Sequence, residues 1–153
     1  MNTTDAIRQA PELKGSATHE RLRRAFDVAS RSAQRYLYLA TMAEIEGRSN
    51  AAGLLRELAE TEAVHAQGHL DLIRGVGDPV TGLPIGETDQ NLDALISSEI
   101  EEGETVYPSM ARTARAEGFL DIADWFETMA KVKRGFAARL GELSEMGSGA
   151  DRS

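Results

Sequence analysis

Two short motifs in this sequence carry side chains of the kinds that bind metal ions. Glu62 and His65 stand three residues apart in the segment ETEAVHA, and Glu99 and Glu102 have the same spacing in the segment EIEE. On an α-helix, residues at this spacing share one face, with Cβ atoms about 5 to 6 Å apart. Both motifs are therefore candidate pairs of metal ligands.

The carboxylates of the second motif lie beside apolar residues and therefore need a partner of opposite charge. Leu95, Ile96 and Val106 place an apolar stripe beside Glu99 and Glu102. A carboxylate that is buried without a partner is costly enough to take up a proton instead. We therefore expect either a metal ion or a cationic side chain next to this pair.

Composition restricts the partners and the chemistry. With 25 acidic and 17 basic residues the net charge is -8, and no basic stripe suits nucleic acid. No apolar run is long enough to span a membrane, and the N-terminal segment lacks the features of a signal peptide, so we expect a cytoplasmic protein. The sequence has no cysteine, so a metal must bind oxygen and nitrogen, and a rubredoxin-type iron site is excluded within these residues.

Apolar spacing and helix-favouring residues predict an all-α fold of four long helices over residues 18–146, between disordered segments at 1–17 and 147–153. The first helix is predicted to follow Ser16 and Thr18 and to end at Gly47. The second is predicted to follow Ser49 and Asn50 and to end at Gly75. Their short connection predicts antiparallel packing, and the long segment that follows predicts a crossover between helices two and three.

The third helix is predicted from about Asp89 to Glu117, with an interruption near Gly103 because Pro108 removes a backbone donor. The fourth is predicted from about Leu120 to Met146. Together the four helices predict an antiparallel four-helix bundle of the ferritin-like type.

The two halves of the chain repeat each other. A shift of 71 residues places Tyr36 on Tyr107 and continues without a gap through the turn into the next helix. The same shift superimposes alanines and the turn glycines, in the pairs Ala40 and Ala111, Gly47 and Gly118, Ala52 and Ala123, and Ala59 and Ala130. Two helical hairpins of common design are therefore predicted.

The segments ETEAVHA, EIEEGETVYPSMARTARAEGF and SAQRYLYLA resemble the rubrerythrin family of ferritin-like di-iron-carboxylate proteins, over about residues 20 to 143. The resemblance implies that Glu62 and His65 match the family's ligand pair on helix two, and that Glu99 and Glu102 match the pair on helix three. It also implies that Tyr36 and Tyr107 lie near the site carboxylates as hydrogen-bond donors, with ordinary core tyrosines as the alternative.

The resemblance also implies that the remaining ligand positions of the family have been lost. The glutamate of helix one falls on Ala29, and the Glu-x-x-His pair of helix four falls on Lys133 and Phe136. The internal repeat places the last two independently, because a shift of 71 takes Glu62 to Lys133 and His65 to Phe136. The sequence therefore predicts a divergent member with a partly lost site.

Two interpretations of this site stay open. In the first, Glu62, His65 and Glu102 hold one divalent metal, with Glu99 terminal or adjacent and with Lys133 replacing the second ion. Iron is the leading candidate, followed by manganese and zinc. In the second, no metal binds and Lys133 pairs with the glutamates in a core network.

The resemblance implies a corresponding pair of functions. The metal-bound form would be an oxidoreductase of the peroxidase type that reacts with peroxide or dioxygen and receives electrons from a separate donor protein. The metal-free form would be a pseudo-rubrerythrin that serves as a structural or interaction module. The family also implies a homodimer in either case.

Overall fold

The computed structural model describes residues 11–150, with side chains through residue 147. This part of the chain forms helices and connecting loops and contains no strand, which confirms the predicted all-α class. Disorder was predicted for residues 1–17 and 147–153. Of these, residues 1–10 and 151–153 lie outside the described part of the chain. The chain divides into two compact units at the boundary between Val76 and Gly77.

The N-terminal unit is a hairpin of two helices, α1 (Ala17–Ile45) and α2 (Ser49–Ile73). Ser16 caps α1, since its hydroxyl oxygen accepts a hydrogen bond of 3.1 Å from the backbone N–H of His19. Thr18, the other predicted cap, lies inside the helix. The predicted bounds of both helices are therefore confirmed to within two residues.

The C-terminal unit contains α3 (Thr88–Glu101), a π-helical turn (Glu102–Val106), α4 (Tyr107–Ala116) and α5 (Leu120–Ala150). The interruption that Pro108 predicted is present. It takes the form of the π turn, in which the N–H of Tyr107 bonds the carbonyl of Glu102, five residues back.

The helical backbone of α5 continues to Ala150, four residues beyond the predicted end at Met146. No proline follows Met146, and a glycine in a helix costs only about 1 kcal/mol relative to alanine. The glycines after Met146 therefore do not stop the helix. The predicted end at Met146 was wrong, and the helix extends into the segment predicted to be a disordered tail.

The turns of the two hairpins have the same hydrogen-bond pattern. Gly47 and Gly118 both adopt a positive φ, of 75° and 87°. The residue after each glycine then bonds back into the preceding helix, from Arg48 N–H to the Ala43 carbonyl at 2.8 Å and from Phe119 N–H to the Ala114 carbonyl at 2.9 Å. These are Schellman motifs, which require a left-handed residue and so favour glycine.

Small side chains form the helix contact inside each hairpin. Alanine allows two helix backbones to approach closely, and the alanines paired by the repeat are buried in both units. Their exposed fractions are 0% and 3% for Ala40 and Ala111, 3% and 0% for Ala52 and Ala123, and 7% and 3% for Ala59 and Ala130. The repeat in the sequence is therefore a repeat in packing.

Residues 74–87 form the connection between α2 and α3 without regular structure, as the glycines and prolines there predicted. A local turn organises its centre, since the Asp78 carboxylate accepts hydrogen bonds from both the N–H and the hydroxyl of Thr81. The crossover role of this segment stays a prediction. Across residues 11–150, no helix has the length and apolar content needed to cross a membrane.

Enlarging a buried alanine of the hairpin seam should destabilise the fold. We expect Ala123→Leu to lower the free energy of unfolding by about 1 to 3 kcal/mol, because added methyl groups at a position with 0% exposure force the helices apart. Urea unfolding measures the change. Ala116→Leu is the control at an exposed position of the same unit. Equal stability of the two variants would show that close alanine packing between the helices does not limit side-chain size at Ala123.

Candidate metal centre

Two carboxylates and one ammonium group meet in the C-terminal unit. Glu99 lies near the end of α3, Glu102 begins the π turn, and Lys133 lies on α5. Lys133 Nζ is 2.7 Å from Oε2 of Glu102 and 3.2 Å from Oε2 of Glu99. It also donates a hydrogen bond of 3.4 Å to Oε1 of Glu99. One cation therefore pairs with both predicted ligands of the third helix.

These three side chains are partly withdrawn from solvent. The exposed fractions are 15% for the side chain of Glu99, 33% for that of Glu102 and 23% for that of Lys133. An exposed ion pair contributes about 0 to 1 kcal/mol, whereas breaking a buried pair costs about 3 to 5 kcal/mol. This cluster belongs between those limits.

The protonated form of Lys133 is the one that the cluster favours. Partial burial lowers the pKa of Lys133, but hydrogen bonds to Glu102 and Glu99, together with their negative charge, outweigh it, so the pKa lies above the usual 10.5. A protonated lysine cannot ligate a metal. Lys133 therefore acts as a fixed positive charge at neutral pH.

One oxygen of Glu99 is left without a hydrogen bond. Oε2 is buried and, although Lys133 Nζ is 3.2 Å away, the contact lacks hydrogen-bond geometry. A misaligned hydrogen bond is weak even at a short distance. This oxygen therefore lies beside the ammonium without a hydrogen bond, and the role of Glu99 as a metal ligand stays a prediction.

Glu62 and His65 form the corresponding pair in the N-terminal unit. Both lie on α2, and His65 Nδ1 is 3.7 Å from Glu62 Oε1. The side chain of Glu62 is 31% exposed and that of His65 is 56% exposed. Their shared face and short separation confirm the geometry expected from the i, i+3 spacing.

The π turn changes the register of the internal repeat. After the π turn, equivalent residues of the two units are 71 positions apart. Before the π turn they are 70 positions apart, which makes buried Ala33 the equivalent of buried Gly103. A π turn closes its hydrogen bond over five residues and so adds one residue relative to the uninterrupted α1. With the shift of 70, Ala29 falls on Glu99. The repeat thus makes buried Ala29 the counterpart of a carboxylate, a relation that the sequence analysis missed.

In each unit one helix carries a pair of predicted ligands, and the positions predicted to have lost their ligands lie on the other helix. The N-terminal unit keeps Glu62 and His65 on α2 but has Ala29, which is 3% exposed, on α1. The C-terminal unit keeps its glutamates but has Lys133 and Phe136 on α5. Lys133 Nζ lies 6.0 Å from the centre of the Phe136 ring, within range of a cation–π interaction.

Tyr36 and Tyr107, which are equivalent in the internal repeat, lie on α1 and α4. The ring of Tyr107 packs against Phe126 at 6.1 Å between centroids with a tilt of 43°. Tyr36 is half-buried on α1. Hydrogen bonding from Tyr36 and Tyr107 to the site carboxylates stays a prediction.

Within the described residues, no group of three or more histidine, aspartate or glutamate side chains is arranged to hold a metal. Each unit taken by itself contributes a single pair of predicted ligands, Glu62 with His65 and Glu99 with Glu102. A site that uses both pairs stays a prediction, and so does the identity of its metal.

Hairpins with short connections and Glu-x-x-His and Glu-x-x-Glu pairs on their helices define an all-helical protein of the ferritin-like type. A sequence model of the rubrerythrin family matches residues 20–144. The chain belongs to the rubrerythrin family.

Several rubrerythrins are similar in sequence. Rubrerythrin of Porphyromonas gingivalis is 38% identical over 125 residues, which cover 79% of this chain and 62% of that protein. Rubrerythrin-1 of Clostridium acetobutylicum is 33% identical over 142 residues, covering 86% and 71%. Rubrerythrin of Nitratidesulfovibrio vulgaris is 35% identical over 123 residues, covering 77% and 64%. The chain thus spans under two thirds of the first and third relatives.

Removing the shared ammonium should destabilise the C-terminal unit. We expect Lys133→Met to lower the free energy of unfolding by about 1 to 3 kcal/mol, because two partly buried carboxylates lose their common partner. Urea unfolding at neutral pH measures the effect. Lys131→Met, at an exposed position two residues away, is the matched control, and a loss no larger than that of the control would show that the cluster contributes no stability.

The contribution of Lys133 should disappear in alkali. A pKa raised on folding means that the ammonium stabilises the fold fully below pH 10.5 and loses this effect as the pH rises through the folded-state pKa. The difference in unfolding free energy between the wild-type chain and Lys133→Met should therefore be constant near neutrality and shrink above pH 10.5. Unfolding curves of both chains at matched pH values give this difference, and one that grew in alkali would refute the assignment.

Proposed function

We propose that this chain is a rubrerythrin-type redox protein that binds one divalent metal instead of two. Glu62, His65 and Glu102 would hold the metal, with Glu99 beside it, and iron is the leading candidate. The observation that carries this proposal is the ammonium of Lys133 at 2.7 Å from Glu102 and 3.2 Å from Glu99. Resemblance to the family assigns the two ligand pairs to one site.

Charge supports a single metal. Three carboxylates with one ammonium have a net charge of about -2, which one divalent cation neutralises, whereas a second would leave excess positive charge in a partly dry region. Lys133 also stands at the position where the family has a ligand. A second metal would lose that donor and meet a like charge in its place.

The side chains of the cluster suit this arrangement. Glu102 has two oxygens, and Lys133 contacts Oε2, which leaves Oε1 for another partner. Glu99 has a buried oxygen without a hydrogen bond.

Bound iron would supply one-electron oxidation and reduction, and peroxide or dioxygen is the substrate class that the family suggests. A separate electron-donor protein belongs to the same proposal, and the 153 residues themselves contain no cysteine for a rubredoxin-type centre. A homodimer and a cytoplasmic setting belong to the same proposal and rest on the family alone.

The same contacts favour a second candidate function. Lys133 already pairs with both carboxylates of the C-terminal unit, so part of their negative charge is offset without a metal. In that case the chain would be a metal-free pseudo-rubrerythrin that serves as a dimeric structural or interaction module. Its function would then reside on its surface.

Metal content after purification without chelators separates the two functions. We expect about one iron per chain in the wild-type protein, and a loss of most of it in Glu62→Gln, because a neutral amide is a weaker ligand than a carboxylate. Elemental analysis gives the ratio. Glu60→Gln, an exposed position on the same helix, is the control. Wild-type protein free of metal, even after incubation with ferrous iron, would favour the module.

A variant with the lost ligands restored tests the role of the ammonium directly. Ala29→Glu, Lys133→Glu and Phe136→His combined should raise the metal content to about two per chain, because the family's full set of donors is then present. Peroxide consumption is compared in the same samples. If the wild-type chain already binds two metals, the proposed single-metal site is wrong.

A further inference from the structure

The carbonyl of Gly103 has no backbone donor in its own helix. In an α-helix it would accept from the N–H of Tyr107, but that N–H bonds the carbonyl of Glu102 instead. In a π-helical pattern it would accept from residue 108, which is proline and has no N–H. The π turn and Pro108 together therefore leave one carbonyl unsatisfied at a buried residue.

Arg134 supplies the missing donor. Its Nη1 donates a hydrogen bond of 2.8 Å to the Gly103 carbonyl from the neighbouring helix α5. A hydrogen bond from a charged group is stronger than a neutral one, and a buried carbonyl left without a partner is costly. This contact fixes the π turn against α5.

Only glycine fits where the π turn crosses α5. A Cβ atom on Gly103 would lie 2.9 Å from Cγ of Arg134, 3.0 Å from its backbone N and 3.1 Å from the carbonyl oxygen of Ala130. Two of these atoms belong to the backbone and cannot give way cheaply. Gly103 and Arg134 therefore form a close-fitting contact at the residue that follows Glu102.

The N-terminal unit serves as an internal comparison. In the internal repeat, Ala33 is equivalent to Gly103, Ala63 to Arg134 and Leu37 to Pro108. In that unit α1 is continuous. The glycine, the proline, the arginine and the π turn thus occur together in one half of the chain and are missing together from the equivalent residues of the other.

We propose that Arg134 is a positioning residue for Glu102. By bonding the Gly103 carbonyl it holds the π turn, and the π turn carries the Glu102 side chain to its contact with Lys133. Arg134 itself touches neither carboxylate in this role. The proposal concerns the chain without metal, so it stands or falls independently of the proposed function.

A double-mutant cycle between Arg134 and Pro108 tests the proposal. Arg134→Met keeps much of the stem but removes the donor, and Pro108→Ala supplies a backbone N–H that can donate to Gly103. We expect exchange of the Tyr107 amide, which marks the π turn, to be about tenfold faster in Arg134→Met. The same substitution in the Pro108→Ala chain should change that exchange rate less than threefold.

Amide exchange by NMR in metal-free protein gives these rates, and crystal structures of the variants give the distance from Glu102 to Lys133. We expect that contact to be lost in Arg134→Met and kept in Arg134→Lys, which retains a cationic donor. Arg112→Met, an exposed arginine of α4, is the control for loss of a surface charge.

The proposal is overturned if Arg134→Met keeps the π turn and the contact between Glu102 and Lys133. It is also overturned if the effects of Arg134→Met and Pro108→Ala are additive, because the donor would then have a role unrelated to the carbonyl that proline leaves free. Should Arg134→Met fail to fold, Arg134→Gln and Arg134→Lys are compared. Equal exchange at Tyr107 in both, at the wild-type rate, would refute the proposal.

Discussion

The electrostatics of the C-terminal unit depend on one ammonium group. Glu99 and Glu102 project from adjoining parts of one interrupted helix, and without a cation between them their charges would repel each other in a partly dry region. Lys133 supplies that cation from α5 at hydrogen-bond distance. Because hydrogen bonds and charge from both carboxylates raise the pKa of Lys133, the lysine keeps its positive charge around neutral pH.

The two hairpins share one packing design but carry different charged residues beside the helix contact. Their turns, glycine positions and buried alanines agree closely, because those features determine how two helices pack. The residues beside the seam have diverged. Where the first unit has Glu62 the second has Lys133, and where the second has Glu99 the first has Ala29. Packing therefore constrains the seam more tightly than it constrains the charges beside it.

The π turn lies at the residue whose side chain pairs with Lys133. Glu102 begins the π turn, and its side chain contacts Lys133 on α5. The free carbonyl at Gly103 is satisfied by Arg134 across the helix contact. A local defect in hydrogen bonding is thus compensated by tertiary structure, as buried polar groups require.

The sequence by itself determined the helices, their ends at Gly47 and Gly118, and the repeat, because capping, glycine conformation and helical periodicity are local properties. Helical spacing also made Glu62, His65, Glu99 and Glu102 candidate ligands, and their binding of a metal stays a prediction. The end of α5 at Ala150 was not predicted, since glycine only weakens a helix and does not stop it.

Tertiary structure decided which charges meet. The pairing of Lys133 with both Glu99 and Glu102 joins residues more than 30 positions apart, and no local pattern specifies such a contact. The π turn and its register shift likewise depend on α5, because Arg134 provides the donor that Pro108 removes. Local sequence fixes the elements, whereas burial and charge across the helix contact fix the geometry of the site.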